Sequence, residues 1–241
     1  MPLFDDHSHL IAGHYGFSAL PVEDLEATEY TLAVIAVDVS ISVQSFRAEI
    51  EACLERVVHA CKRHPRADNL MLRVVTFNSK LKELHGFKPV LDCDQYAGAI
   101  RISGATALYD AAHNAAASVI GYGQRLSGAD LACNAIVFVI TDGEDNASSQ
   151  QPSDIKALIH QACKTESLES LTTVLVGVNV GDAQLGGALA TFKDEAGFNA
   201  YLQLGDATED TLTALAGFIG RSISAQSMAL GSGAASALFG L

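Results

Sequence analysis

An α/β fold with a mostly parallel sheet and helices on both faces is the class this 241-residue chain predicts. Three long runs of β-branched and aliphatic residues carry the prediction: Tyr30 to Val37 (YTLAVIAV), Ala135 to Ile140 (AIVFVI) and Leu171 to Val178 (LTTVLVGV). Uninterrupted apolar runs of that length suit strands covered on both sides. Helical periodicity fills the stretches between them, and strands that alternate with helices call for right-handed crossovers and parallel neighbours. The first two runs each stop beside an acid, Asp38 and Asp142, at the strand ends where sheets of this class bind ligands.

After the first run, Phe46, Ile50, Cys53, Leu54, Val57, Val58 and Cys61 recur at three and four residues, one face of a helix that Pro65 stops. Leu70 to Phe77 and Lys80 to Phe87 are strand-like runs joined by Asn78 and Ser79, which predicts an antiparallel hairpin. Thr106 to about Tyr122 is Ala-rich and helical, with Gly121 and Gly123 expected at its C-terminal end. Pro152 to Cys163 suits a helix with proline in its first turn, and Ala183 to Ala196 suits another. Tyr201 to Leu204 reads as a short parallel strand, and Asp206 is expected to cap a final helix starting near Glu209.

These elements divide the chain into an acidic extension (1–28), a domain (29–225) and an uncharged tail (226–241). The extension holds Gly13, Gly16 and Pro21 without sustained periodicity, so it is expected to lie over the domain or to move freely. The tail's Gly-Ser-Gly interruption predicts flexibility.

The 28 acidic and 15 basic side chains leave a net charge of −13, and 49% hydrophobic content excludes a disordered chain. The charge is −6 over residues 1–29, +3 over 30–88 and −10 over 89–241. A surface this acidic repels phosphate backbones, so no nucleic acid partner is expected. No run reaches the length of a membrane span, and the first 25 residues carry acids and histidines where a signal peptide is basic and then apolar. A cytoplasmic protein without membrane contact is expected. The five cysteines form no C-x-x-C pair and read as buried free thiols.

Three short segments concentrate side-chain oxygen: Asp38-Val39-Ser40-Ile41-Ser42, Ser103-Gly104-Ala105-Thr106, and Thr141-Asp142-Gly143-Glu144-Asp145-Asn146. Carboxylates and hydroxyls without His or Cys are hard ligands, suited to Mg²⁺ or Mn²⁺ and not to zinc. Alternate hydroxyls on a chain leaving a strand can present two side chains to one point. Each segment alone also serves as a helix cap or a turn. All three together, at the ends of elements where ligands bind, favour a site.

Asp38-x-Ser40-x-Ser42, Thr106 in SGATALYDA and Asp142 in ITDGEDN resemble the metal-ion-dependent adhesion site (MIDAS) of von Willebrand factor type A (VWA) domains, over residues 29 to about 225. The resemblance implies a Rossmann-like, doubly wound sheet of six strands with one antiparallel edge strand. It implies that Ser40, Ser42 and Thr106 ligate a divalent cation, with Asp38 and Asp142 acting directly or through water. It also implies one coordination position left for a Glu or Asp of a partner protein. Stand-alone intracellular members look like adaptors, often beside chaperone-like ATPases or in stress and defence assemblies. Many members have Gly where Ile41 and Ala105 stand, which implies bulkier walls here and no lost ligand.

Two enzyme readings compete. Asp38 could be the nucleophile of a haloacid-dehalogenase-like phosphatase, but the acid that such chemistry uses two residues on is Ser40 here. His7 and His9 form an H-x-H of the kind found in metal hydrolases, yet no apolar strand precedes them. There is no P-loop, and no G-x-G-x-x-G leads from a strand into a helix. A binding module without enzymatic activity is expected, and a metal-free scaffold is the remaining alternative.

Overall fold

The computed structural model describes residues 8–10, 16–93, 95–162, 164–165 and 167–232. The strands are β1 (Ser8–Leu10), β2 (Gly16–Ser18), β3 (Glu29–Asp38), β4 (Leu70–Phe77), β5 (Leu81–Pro89), β6 (Ala132–Thr141), β7 (Leu171–Gly177) and β8 (Ala200–Gln203). The helices are α1 (Arg47–Lys62), α2 (Leu108–Gly128), α3 (Pro152–Ala162), α4 (Ala183–Ala196) and α5 (Glu209–Ala229). Six strands form one sheet in the order β5-β4-β3-β6-β7-β8, parallel except for β5, which runs antiparallel to β4. β1 and β2 pair as a separate antiparallel ribbon.

The apolar runs behave as strands covered on both faces require. Ile35 and Val37 point into one core, shared with α1 and α5, while Val34 and Ala36 point into the other, shared with α2, α3 and α4. The period-two alternation of a strand therefore sorts one continuous apolar run into two cores. Strand order reverses between β3 and β6, so their C-terminal ends, at Asp38 and Thr141, flank the switch point of the sheet. Cys53, Cys61 and Cys133 are buried free thiols that burial pushes up to about 12, and Cys93 is also buried; Cys163 lies outside the described residues.

Three expectations need correction. α2 does not end at Gly121 or Gly123 but runs to Gly128. A Cβ at Gly121 would stand 3.3 Å from the Phe17 ring, and one at Gly123 2.6 Å from Leu168 Cδ2, so these glycines admit neighbours to the helix surface. The tail does not begin at 226, because α5 continues to Ala229 and Gln226 is buried in it. The Gln226 amide donates to Ala135 O (3.0 Å) and Ser170 Oγ (2.9 Å), and its backbone oxygen accepts from Asn134 Nδ2 (2.7 Å). Residues 233–241 lie outside the described residues. Finally, α5 is capped by Thr208, whose hydroxyl accepts from Thr211 N, while Asp206 stands one step back and accepts from both threonine hydroxyls.

The described part of the N-terminal extension lies over the sheet edge. Leu20 N donates to Phe87 O (3.0 Å), Ser18 Oγ donates to Glu83 (2.7 Å), and Tyr122 Oη donates to Leu20 O (2.8 Å). Gly86 lets the strap approach, since a Cβ there would meet Ser18 O at 2.2 Å. His7 and His14 are outside the described residues, as is the side chain of His9.

Candidate metal centre

β3 delivers Asp38 to the C-terminal edge of the sheet, where it is buried. There the chain turns, and Ser40 N donates to Asp38 Oδ1 (2.8 Å), so the carboxylate clamps the turn it begins. A short 3-10 turn from Ile41 to Phe46 then leads into α1. The turn brings Ser40 Oγ and Ser42 Oγ within 3.0 Å of each other. Ser42 Oγ donates to Asp142 Oδ1 (2.7 Å), across from the end of β6. Ser40, Ser42 and Asp142 therefore form one chain of hydrogen-bonded oxygens, joined to Asp38 through Ser40 N.

Thr106 joins this group through its backbone. Thr106 N donates to Asn146 Oδ1 (2.8 Å), and Asn146 N donates back to Thr106 O (2.9 Å), tying its loop to the one that carries Asp142. Ser103 N donates to Val39 O (3.0 Å) and Ile41 N donates to Gly104 O (3.3 Å), tying the same loop to the D-x-S-x-S turn. Gly104 has φ +77°, and a Cβ there would meet Ser79 Oγ at 2.7 Å, so this position requires glycine twice over. Thr106 itself is buried, whereas Ser42 and Ile41 face solvent, Ile41 with 63% of its surface exposed.

Two carboxylates meet here without a base. Burial raises Asp38 above the ordinary carboxylate value, against the opposing donation from Thr141 Oγ1 (2.7 Å) and Ser40 N. Burial likewise pushes Asp142 up to about 6, helped by the neighbouring charge of Asp38. Among the described residues no lysine, arginine or histidine forms an ion pair or hydrogen bond with either carboxylate, and their protein partners are hydroxyls and backbone N–H groups. A divalent cation would supply the missing positive charge. Hydroxyls and carboxylates are the hard donors that Mg²⁺ or Mn²⁺ takes. Among the described residues no three His, Cys, Asp or Glu side chains are grouped so as to hold a metal ion, so a cation here would take hydroxyls among its ligands. The donors present suit such a cation: Asp38, Ser40, Ser42 and Asp142 are linked by hydrogen bonds, and backbone bonds bring the loop that carries Thr106 beside them.

No family model matches the sequence, and no curated protein matches it. Solved structures do resemble it. The pilus adhesin SpaC from Lactobacillus rhamnosus GG superposes with a TM-score of 0.60 at 10% identity. Proximal thread matrix protein 1 from the mussel byssus, with a zinc-occupied MIDAS motif, gives 0.55 at 16%. The chain has a von Willebrand factor type A fold. A mutant of the PilB minor pilin from Streptococcus sanguinis gives 0.55 at 12%. The VWA fold accounts for 83% of this chain in each comparison, but the chain spans only 30%, 47% and 63% of those three proteins.

Within the VWA fold several residues take structural roles that the sequence assigned to none of them individually, although Thr141, Asp145 and Asn146 lie in one of its oxygen-rich segments. Thr141 donates to Asp38 Oδ2 and also accepts from Gly143 N (3.2 Å), so it couples the two acidic loops. Asn146 is the clamp on Thr106. Asp145 is occupied at the start of α2, where it accepts from Tyr109 N (3.2 Å), and Asp110 accepts from Ser149 N (3.0 Å) and Gln150 N (2.8 Å). Polar side chains of this kind resemble ordinary loop residues until the fold brings their partners to them. The one available signal was the density of Asn, Asp and Ser in TDGEDNASS.

Proposed function

We propose that this VWA module is a divalent-metal-dependent protein interaction domain that holds Mg²⁺ or Mn²⁺ at Asp38, Ser40, Ser42, Thr106 and Asp142. It docks a Glu or Asp carboxylate of a partner protein and acts as a cytoplasmic adaptor in a multi-protein assembly, not as an enzyme. The observation that carries the reading is the linking of Asp38 and Asp142 through Ser40 and Ser42, with no basic side chain among the described residues bonded to either carboxylate. The zinc-occupied MIDAS of the mussel protein supports a divalent ion at this place in the fold.

The chain's own residues prepare the site. Asp38 and Thr141 hold the two strand ends together, Ser40 N fixes the Asp38 carboxylate, and the Asn146 clamp sets Thr106. Ser42 stands at the solvent boundary, where a partner can approach. When bound, a dication held largely by neutral hydroxyls supplies a charge that is only partly neutralised, and a partner carboxylate completes it with a charge-assisted contact. Phosphatase chemistry lacks support, because Ser40 occupies the place of the second acid and spends its N–H on Asp38.

The test is affinity capture with the full chain in Mg²⁺ and in excess chelator, beside Asp38→Ala. The expected result is a partner retained in Mg²⁺ and released by chelator, with no retention on Asp38→Ala. Equal retention in all three conditions contradicts the reading.

A further inference from the structure

We infer that Glu51 of α1 is a positioning residue for the metal centre, setting the loop that carries Thr106. The inference rests on the metal reading above and assigns a function to a buried acid outside the oxygen cluster.

The connection from β5 to α2 contains a stretch, residues 95–107, without helix or strand, whose backbone N–H groups draw largely on partners from elsewhere. α1 supplies them. Glu51 Oε2 accepts from Gly98 N (3.0 Å) and Glu51 Oε1 from Ile100 N (3.1 Å). One turn later, Glu55 Oε1 accepts from Tyr96 N (3.2 Å) and Ala97 N (3.1 Å). Glu51 and Glu55 stand at i and i+4, on one face of the helix, so two carboxylates line up along the loop. Gly98 takes φ +71°, the left-handed conformation the loop adopts between the two Glu51 contacts.

Glu51 is only 7% exposed, and a carboxylate is costly to bury unless its oxygens are used. Here each oxygen takes one backbone donor. Downstream, the loop that Glu51 has fixed reaches Ser103 and Gly104, which bond to Val39 and Ile41 of the D-x-S-x-S turn, and then Thr106. α1 is itself the helix that this turn leads into. One helix thus holds both the hydroxyls of the turn and, through Glu51, the loop with the third hydroxyl. Their separation is set by a rigid element and not by the loop alone.

A glutamine at 51 keeps the shape but has one acceptor oxygen, and its NH₂ group faces the second backbone donor. Glu51→Gln is therefore expected to weaken Mn²⁺ binding about tenfold, the usual scale for groups that orient metal ligands. Amide exchange over residues 98–104 of the metal-free protein should accelerate in the same variant. Asn134→Ala, at the opposite end of the sheet, is the control for general destabilisation and should leave Mn²⁺ affinity within about twofold. Should Glu51→Gln fail to fold, Glu55→Ala releases Tyr96 N and Ala97 N from a half-buried position and carries the same test. Mn²⁺ affinity unchanged within about twofold in the folded Glu51 or Glu55 variant overturns the inference, and so does an equal loss in Asn134→Ala. Wild-type protein that does not bind Mn²⁺ overturns the metal reading beneath it, and the inference with it.

Discussion

Among the described residues, buried charged side chains enter the sheet in two places, and they are balanced differently. On β4, Arg73 is fully buried, and its guanidinium donates to Glu83 of β5 (2.5 Å), Asn114 (2.9 Å) and Ser118 (3.2 Å) on α2. Every charge there has an opposite within the chain. At the C-terminal ends of β3 and β6, Asp38 and Asp142 are joined through serine hydroxyls and Ser40 N, with no base among their partners in the described residues. The first arrangement is complete and ties the hairpin to α2. The second has no such balance among the described residues, which is why we read it as a site and the first as a structural pair.

Breaking the balanced region should have the largest effect. Arg73→Met leaves the Glu83 carboxylate without its base and should cost about 3 kcal/mol, since removing one partner of a buried pair strands the other. Chemical denaturation measures it; a cost below about 1 kcal/mol would mean that solvent already balances Glu83. At the unbalanced end, Mg²⁺ at about 100 times its dissociation constant should stabilise the wild type by about 2.7 kcal/mol and Asp38→Ala by nothing. Thermal unfolding with and without Mg²⁺ reads the difference.

A smaller effect concerns pH. Asp142 has its folded-state pKa raised to about 6, so its contribution to metal-free stability is present at low pH and is lost as pH rises through about 6. The metal-free protein should therefore unfold at a higher temperature near pH 5 than near pH 7, by a few degrees at most. Metal should reverse the order, because a proton on Asp142 competes with the cation. Asp142→Asn should flatten the metal-free dependence over that window.

The same contrast explains what could be seen in the sequence. Continuous apolar runs such as YTLAVIAV announce buried parallel strands, and the break after Phe77 announces the hairpin of β4 and β5, although Lys80 joins Asn78 and Ser79 in a three-residue loop instead of opening β5. D-x-S-x-S stood out because one short segment places an acid and two hydroxyls at a strand end. Local signals failed where distant partners decide. Gly121 and Gly123 look like a helix end, but they serve the close approach of Phe17 and Leu168. Gln226 looks like the start of a tail, but its amide reaches Ala135 and Ser170 across the sheet. Arg73 interrupts an apolar run with no local hint of Glu83 or Asn114, and Glu51 reads as one more helix acid until the loop from Gly98 to Ile100 is laid on it.

Anomalous scattering from crystals grown with Mn²⁺ tests the central claim most directly. The account predicts one Mn²⁺ per chain, in contact with Ser40, Ser42 and Thr106 between Asp38 and Asp142. Crystals grown with Mn²⁺ in saturating excess that show no anomalous peak between those two carboxylates would contradict it.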